Sequence, residues 1–364
     1  MSVTPQPIRS IGEPVGAAAR IRSAVARVDW SRLAIALGAY VVCLIGFSAV
    51  VALKHASPAG VYDSLIHSAL LGNGSLGEVV IRAVPIALAA LAVSLPARAG
   101  LVNVGGEGQL IVGAIAASGI GVYIAGGLPG PVGWLLMALG GTIAGAVWAG
   151  IPALLRTSLS ANEAVTTLLM NFVASDLMLY LIYQPWKNPA GSGQPESSPL
   201  PGGDVLPSVL GSTINLGVIV ALVVAIGVWA LLGRTGWGFA LRVVGGNREA
   251  AHRAGLPVDR IIVSSMVIGG GIAGLGGMLN LAGSQIQLLP GGTATYGYIG
   301  FLAAYLGRHD PIKVVLAALL FSAIAIGNSG LELNYGLDGS VVDVLLALLV
   351  VAPLWLSRRR KEVL

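Results

Sequence analysis

Long apolar runs recur along the chain with short polar breaks between them. The first covers residues 33–53, 21 in a row. At about 1.5 Å per residue, such a helix spans a bilayer core of about 30 Å. Nine further runs follow, near 79–97, 102–126, 131–155, 163–183, 214–233, 260–282, 295–307, 311–328 and 340–356. The run at 295–307 is short for a crossing and reads as a half-helix or a re-entrant segment. A polar leader of 32 residues precedes the first run. That run exceeds the ~7–15 apolar residues of a secretory signal, so it reads as a membrane helix. The pattern predicts an all-α integral membrane protein of about ten transmembrane helices.

Charge sets the orientation. With the N-terminus in the cytoplasm, 18 of the 21 Lys and Arg fall on cytoplasmic segments. The outer side keeps Lys54, Arg82 and Lys187. This bias is what the positive-inside rule demands, and it places both termini in the cytoplasm. The expected division is a basic leader 1–32, a membrane domain 33–356 and a basic tail 357–364. Residues 184–212, rich in Pro, Gly and Ser, read as an irregular external loop. Residues 234–260, with five arginines, read as the main cytoplasmic loop.

Composition excludes other classes. Hydrophobic residues make up 55% and charged residues 10%, with a mean hydropathy of +0.84. Soluble domains carry about 25% charged residues, so a soluble enzyme or a nucleic-acid binder does not fit. The single cysteine, Cys43, allows no internal disulfide, and the four histidines are scattered. No G-x-x-x-x-G-K-[ST] loop occurs, so any ATP used is bound by another chain.

Glycine is abundant, with 52 residues. Gly141 and Gly145, and Gly270 and Gly274, are spaced to share a helix face, where a second backbone can approach closely. The same surface also suits sliding during alternating access.

Polar residues break the apolar pattern at two places. In 101–110, Asn103, Glu107 and Gln109 sit among Gly105, Gly106 and Gly108. A charge at membrane depth is costly and marks a functional candidate, and broken helices expose backbone groups to a solute. The alternative is a glycine-rich helix start with Glu107 near its positive end. In 160–176, Asn162 suits an N-cap with Glu163 in the first turn, while Asn171 and Asp176 lie deeper. For these two, a solute path and a helix–helix hydrogen bond are both open. Asn280, Gln285 and Gln287 fall at an outer helix end, and Asn328, Glu332 and Asn334 in an outer turn.

The cytoplasmic loop contains a capped short helix at 248–254. Asn247 caps it, Glu249 occupies its first turn, and Gly255 then Pro257 end it. A short helix between two membrane helices can act as a lever on a soluble partner.

Three motifs in order carry a resemblance: 101–109 (LVNVGGEGQ), 161–167 (ANEAVTT), and 245–251 (GGNREAA) with Ala254 and Gly255. They resemble the permease subunits of ATP-binding-cassette (ABC) importers, in the branched-chain amino acid and simple-sugar class. The first looks most like the nucleoside-type permeases. The resemblance covers roughly residues 78–352. It implies a vitamin-B12-importer-type permease with two five-helix halves in a bacterial cytoplasmic membrane. It also implies a second related permease, ATPase subunits that bind ATP and Mg, and an extracytoplasmic substrate-binding lipoprotein. Asn247, Arg248, Glu249, Ala250, Ala251 and Gly255 would form the ATPase coupling helix. Asn103, Glu107, Gln109, Asn171 and Asp176 are the solute-path candidates. The expected activity is ATP-driven uptake of nucleosides, with simple sugars or another small polar solute as the alternative. The chain itself is not expected to be an enzyme. An ion-coupled secondary transporter is the rival class, with Asp176 as its coupling residue. An integral-membrane enzyme would need a nucleophile–base or metal set that is not visible.

Overall fold

The computed structural model describes residues 30–358 apart from 192, 210–212, 294, 338 and 339. Of the expected leader and tail, 1–29 and 359–364 lie outside the described residues. Thirteen α-helices occur among the described residues. They begin with α1 (Trp30–Leu53), α2 (Pro58–Ile66), α3 (Ser75–Ala97), α4 (Gly106–Tyr123) and α5 (Gly130–Leu159). Next come α6 (Glu163–Tyr183), α7 (Leu216–Arg234), α8 (Gly236–Gly246) and α9 (Arg248–Arg253). The last four are α10 (Val258–Asn280), α11 (Tyr296–Leu306), α12 (Pro311–Tyr335) and α13 (Ser340–Arg358). β-Structure among the described residues is limited to two isolated bridges, Lys187 with Ser197 and Ser208 with Asn215.

The all-α expectation holds, whereas the count of ten membrane helices is not reached. Among the described residues, six helices are long and apolar enough to cross a membrane, or seven if a bent pair is one span. That pair, 37–53 and 58–71, turns by 113° at the break. α4 falls short because Glu107 and Gln109 lower the hydropathy of its first turn. α11 is 11 residues long, in keeping with the short run at 295–307. The described apolar part of α13 is also short, 340–351.

Beyond Glu78 and Arg82, α3 is apolar on every side, and each residue from Ala83 to Pro96 is buried. A helix without a polar face belongs in the centre of a bundle. α10 packs on it and on α5 through glycine. Gly141 and Gly145 of α5 lie directly against Gly270 and Gly274 of α10. A Cβ at Gly145 or Gly274 would overlap the facing backbone. α4 joins the seam, with Gly113 against Gly274 and Gly277 against Leu110. The spacing of four therefore serves close packing. A second apolar cluster joins α1, α2, α12 and α13 through Phe47, Val51, Val61, Leu331 and Val342. α12 continues to Tyr335, so Asn328, Glu332 and Asn334 lie on a helix, not in a turn.

The described part of loop 184–212 is irregular, as expected, but it is laid along the segment after α10. Ser197 N donates to Leu288 O (3.1 Å), Leu200 N to Ile286 O (2.9 Å) and Leu206 N to Ala282 O (2.9 Å). Leu200 and Leu206 are buried beneath it. The 234–260 loop holds two helices, α8 as well as the expected short one.

Candidate functional site

The break before α4 is a buried polar knot. Asn103 is 0% exposed, Glu107 6%, Gln109 1% and Asn171 2%. Unpaired polar groups at such burial cost about 1–3 kcal/mol each, so their partners decide what they do. Asn103 and Gln109 pair amide to amide. Asn103 Nδ2 donates to Gln109 Oε1 at 3.3 Å, and Gln109 Nε2 returns to Asn103 Oδ1 at 3.2 Å. Gly105 N also donates to Asn103 Oδ1, at 3.0 Å. Asn171 reaches across from α6. Its Oδ1 accepts from Gly108 N (2.8 Å), and its Nδ2 donates to Val104 O (3.0 Å) and to the Tyr298 hydroxyl (3.3 Å).

Glu107 closes the knot on the other side. It accepts from Gly297 N at 2.6 Å, in the first turn of α11, and from the Thr293 hydroxyl. Two helix starts, α4 and α11, thus meet at one carboxylate, where the helix dipoles favour a negative charge. Gly297 permits the approach, because a Cβ there would overlap the Glu107 backbone. Gly106 faces Gly297, and Gly108 faces Asn171, with negative φ at both. These glycines serve close approach; strained backbone is not their role.

The segment leading into the knot is latched to α6. Val104 N donates to Thr167 Oγ1 (3.1 Å) and Val102 N to Glu163 Oε1 (3.4 Å). Glu163 also pairs with Arg156 at 3.2 Å. Asn162 caps α6 as expected, accepting from Ala164 N and Val165 N. Asp176 stands apart. It lies on the exposed face of α6, with Phe172 and Tyr180 on the same side and Asn171 on the opposite one.

The short helix α9 matches its prediction. Asn247 Oδ1 accepts from Ala250 N at 3.0 Å, and Gly255 ends the turn at φ +80°. Glu249 and Arg253 pair at 3.0 Å and are 70% and 79% exposed. Ala251 is fully buried and packs inward, so it is not part of an outward-facing lever surface. Behind α9, Gly245 lies on the backbone of Arg98 and Ala99, where a Cβ would overlap Arg98 O. Arg248 Nη2 reaches Gly100 O at 3.4 Å. That turn, with Gly100 at φ +73°, runs directly into the latched segment 101–105.

Thr293 and Gly297 were not legible as site residues. The weak signal was Gly297 between two tyrosines, a small residue at a helix start. No group of three or more His, Cys, Asp or Glu that could hold a metal occurs among the described residues.

Comparison with known proteins gives the family. The model of the family described as branched-chain amino acid transport system / permease component matches residues 75–354. The glucose ABC transporter permease protein TsgB13 of Haloferax volcanii is 35% identical over 319 residues, 84% of this chain and 83% of its own length. The guanosine ABC transporter permease protein NupP of Bacillus subtilis is 32% identical over 279 residues, 76% of this chain and 80% of its own. The nucleoside ABC transporter permease protein NupB of Lactococcus lactis is 29% identical over 300 residues, 79% and 81% of the two chains. The chain belongs to the branched-chain amino acid transport system permease family: it is a multi-pass membrane subunit of an ABC importer and not itself an enzyme.

Proposed function

We propose that this permease carries nucleosides inward through a bacterial cytoplasmic membrane, paired with a second, related permease. The observation that carries the substrate is the chemistry at membrane depth. α4, α6 and α11 contain no Lys or Arg. Their polar groups are amides, hydroxyls and three carboxylates, Glu107, Glu163 and Asp176. A neutral solute rich in hydrogen-bonding groups suits such walls, whereas a phosphate would want a cation there. A hexose is the second reading, favoured by the 35% identity to the Haloferax glucose permease.

In this reading the chain crosses the membrane ten times, in two five-helix halves of the vitamin-B12-importer type. Residues 33–356 form the membrane domain, flanked by cytoplasmic segments 1–32 and 357–364. Loop 184–212 is external and receives the substrate-binding lipoprotein. Loop 234–260 is cytoplasmic and meets the ATPase subunits, which hold ATP and Mg. The path runs along the exposed face of α6, past Asp176. Asn103, Glu107, Gln109 and Asn171 keep its wall in shape. α9 is the coupling helix, in contact with the ATPase through Glu249 and Arg253. Its motion passes through Gly245 and Gly100 to segment 101–105 and the knot. A contact there drives transport only if it differs between the two ATPase states.

The test is ATP-driven uptake by the full importer in proteoliposomes. Nucleoside uptake that neither glucose nor a nucleoside monophosphate competes away supports the assignment. Glucose uptake alone moves it to the second reading, and nucleotide uptake overturns the argument from charge. Reporter fusions at Gly193 and Gly246 should give opposite sidedness; equal sidedness would sink the ten-span topology.

A further inference from the structure

A groove runs between α7 and α12 that the transport reading does not use. Its middle part, about 380 Å³, is walled by Leu222, Ile226, Trp229, Ile312 and Leu316, with Ala225 at its floor. A further hollow of about 200 Å³ shares Leu222 and continues it over Val218, Ala221 and, on α3, Ala83 and Ala87. Alanines on α3 and α7 face each other here, which leaves room that larger side chains would fill.

The other end is different in kind. Beyond Trp229 the groove opens into a hollow of about 200 Å³ lined by Arg98, Arg242, Gly233 and Asp310. Arg98 binds the His309 carbonyl through Nε (3.3 Å) and Nη2 (2.8 Å). Arg242 donates to the Leu232 carbonyl. Both anchors are backbone oxygens, which fixes each guanidinium and leaves N–H donors over. Among the described residues, neither arginine is in an ion pair. Arg234 adds a third cation, with its guanidinium 4.5 Å from the Trp229 ring centre. Asp310 is the acidic group facing this hollow, and its Oδ1 already accepts from Lys313 N at 3.2 Å. His309 adds no charge at neutral pH. Burial, and then the Arg98 charge, lowers its pKa to about 4.

We propose that this groove is a binding site for one anionic phospholipid, with an acyl chain along α7 and the phosphate at Arg242 and Arg98. Two independent features select this occupant. The first is length. From Val218 to Trp229, α7 rises about 16 Å at about 1.5 Å per residue, close to one leaflet of a hydrocarbon core of about 30 Å. The second is charge. Basic pockets between membrane helices on the cytoplasmic side suit anionic head groups, and the cations here sit at one end of an otherwise apolar groove. A solute path would not be lined so uniformly with aliphatic side chains. The leaflet assignment rests on the proposed orientation; the site itself rests only on the chain being membrane-embedded.

The test is native mass spectrometry of the full, delipidated importer, titrated with phosphatidylglycerol or phosphatidylcholine of the same chain length. The wild type should bind the anionic lipid at least about 5-fold better. Arg242→Gln should bring that preference close to one while lipid of either head group still binds. Ala225→Phe, which fills the apolar part, should lose both. Equal binding of the two lipids by the wild type overturns the proposal. So does a preference that survives Arg242→Gln, or full lipid binding by Ala225→Phe in a correctly assembled importer. The assay reads neither sidedness nor transport. Its failure therefore leaves the permease reading intact, and the reporter fusions test orientation separately.

Discussion

The two faces of α6 treat polar residues in opposite ways. On the buried face, Thr167 and Asn171 are wired to backbone groups of the segment 104–108. On the exposed face, Asp176 sits among Phe172, Leu177 and Tyr180 with its carboxylate outward. A polar group inside a membrane protein is tolerated when its partner is built in. The first face therefore holds the fold. The second turns an acid to the outside of the bundle. Polarity within one helix thus occurs in two settings, and burial separates them.

The largest expected effect tests the buried face. Asn171→Ala frees Gly108 N and Val104 O inside the bundle, at about 1–3 kcal/mol each. The melting temperature in detergent should fall by several degrees, and membrane yield with it. An unchanged melting temperature would mean that the knot is not structural.

Gly245→Leu comes next. Its side chain would force α8 and α9 away from the turn at Arg98–Gly100. ATPase stimulation by the loaded binding protein should drop at least about 10-fold, while the subunits still copurify. Normal stimulation would remove the route from α9 to the knot.

Asp176→Asn sharpens the contrast from the exposed face. Exposed substitutions usually change stability by less than about 0.5 kcal/mol, so the melting temperature should hold. Uptake should fall several-fold in the assembled importer. Full uptake would move the path elsewhere; a large loss of stability would erase the distinction between the faces.

The smallest effect on stability belongs to Glu249→Lys. It breaks a surface pair with Arg253 that contributes about 0–1 kcal/mol. The protein should remain folded, with ATP hydrolysis uncoupled from uptake. Ala251 is not a suitable position for this test, because it is buried and a larger residue would disturb packing first.

Much of this was legible one residue type at a time. Apolar runs, sorted by the positions of arginine and lysine, identify a multi-pass helical membrane protein because bilayer thickness and the cost of burying charge act locally. Caps are local too, so Asn162, Asn247 and Gly255 could be read directly. The facing of Gly141 and Gly145 was legible as a spacing, but its partner was not. Only the folded chain set those two glycines against Gly270 and Gly274.

The site divides in the same way. The sequence determined that Asn103, Glu107, Gln109, Asn171 and Asp176 are polar and lie among apolar residues. It did not determine which of them are satisfied. Glu107 finds its partners at Thr293 and Gly297, far along the chain, and Asn171 reaches Val104 and Gly108 from another helix. Hydrogen bonds between distant segments depend on how helices are placed, and no local pattern encodes that placement. Tertiary structure alone joined four of the five into one knot and turned the fifth, Asp176, outward.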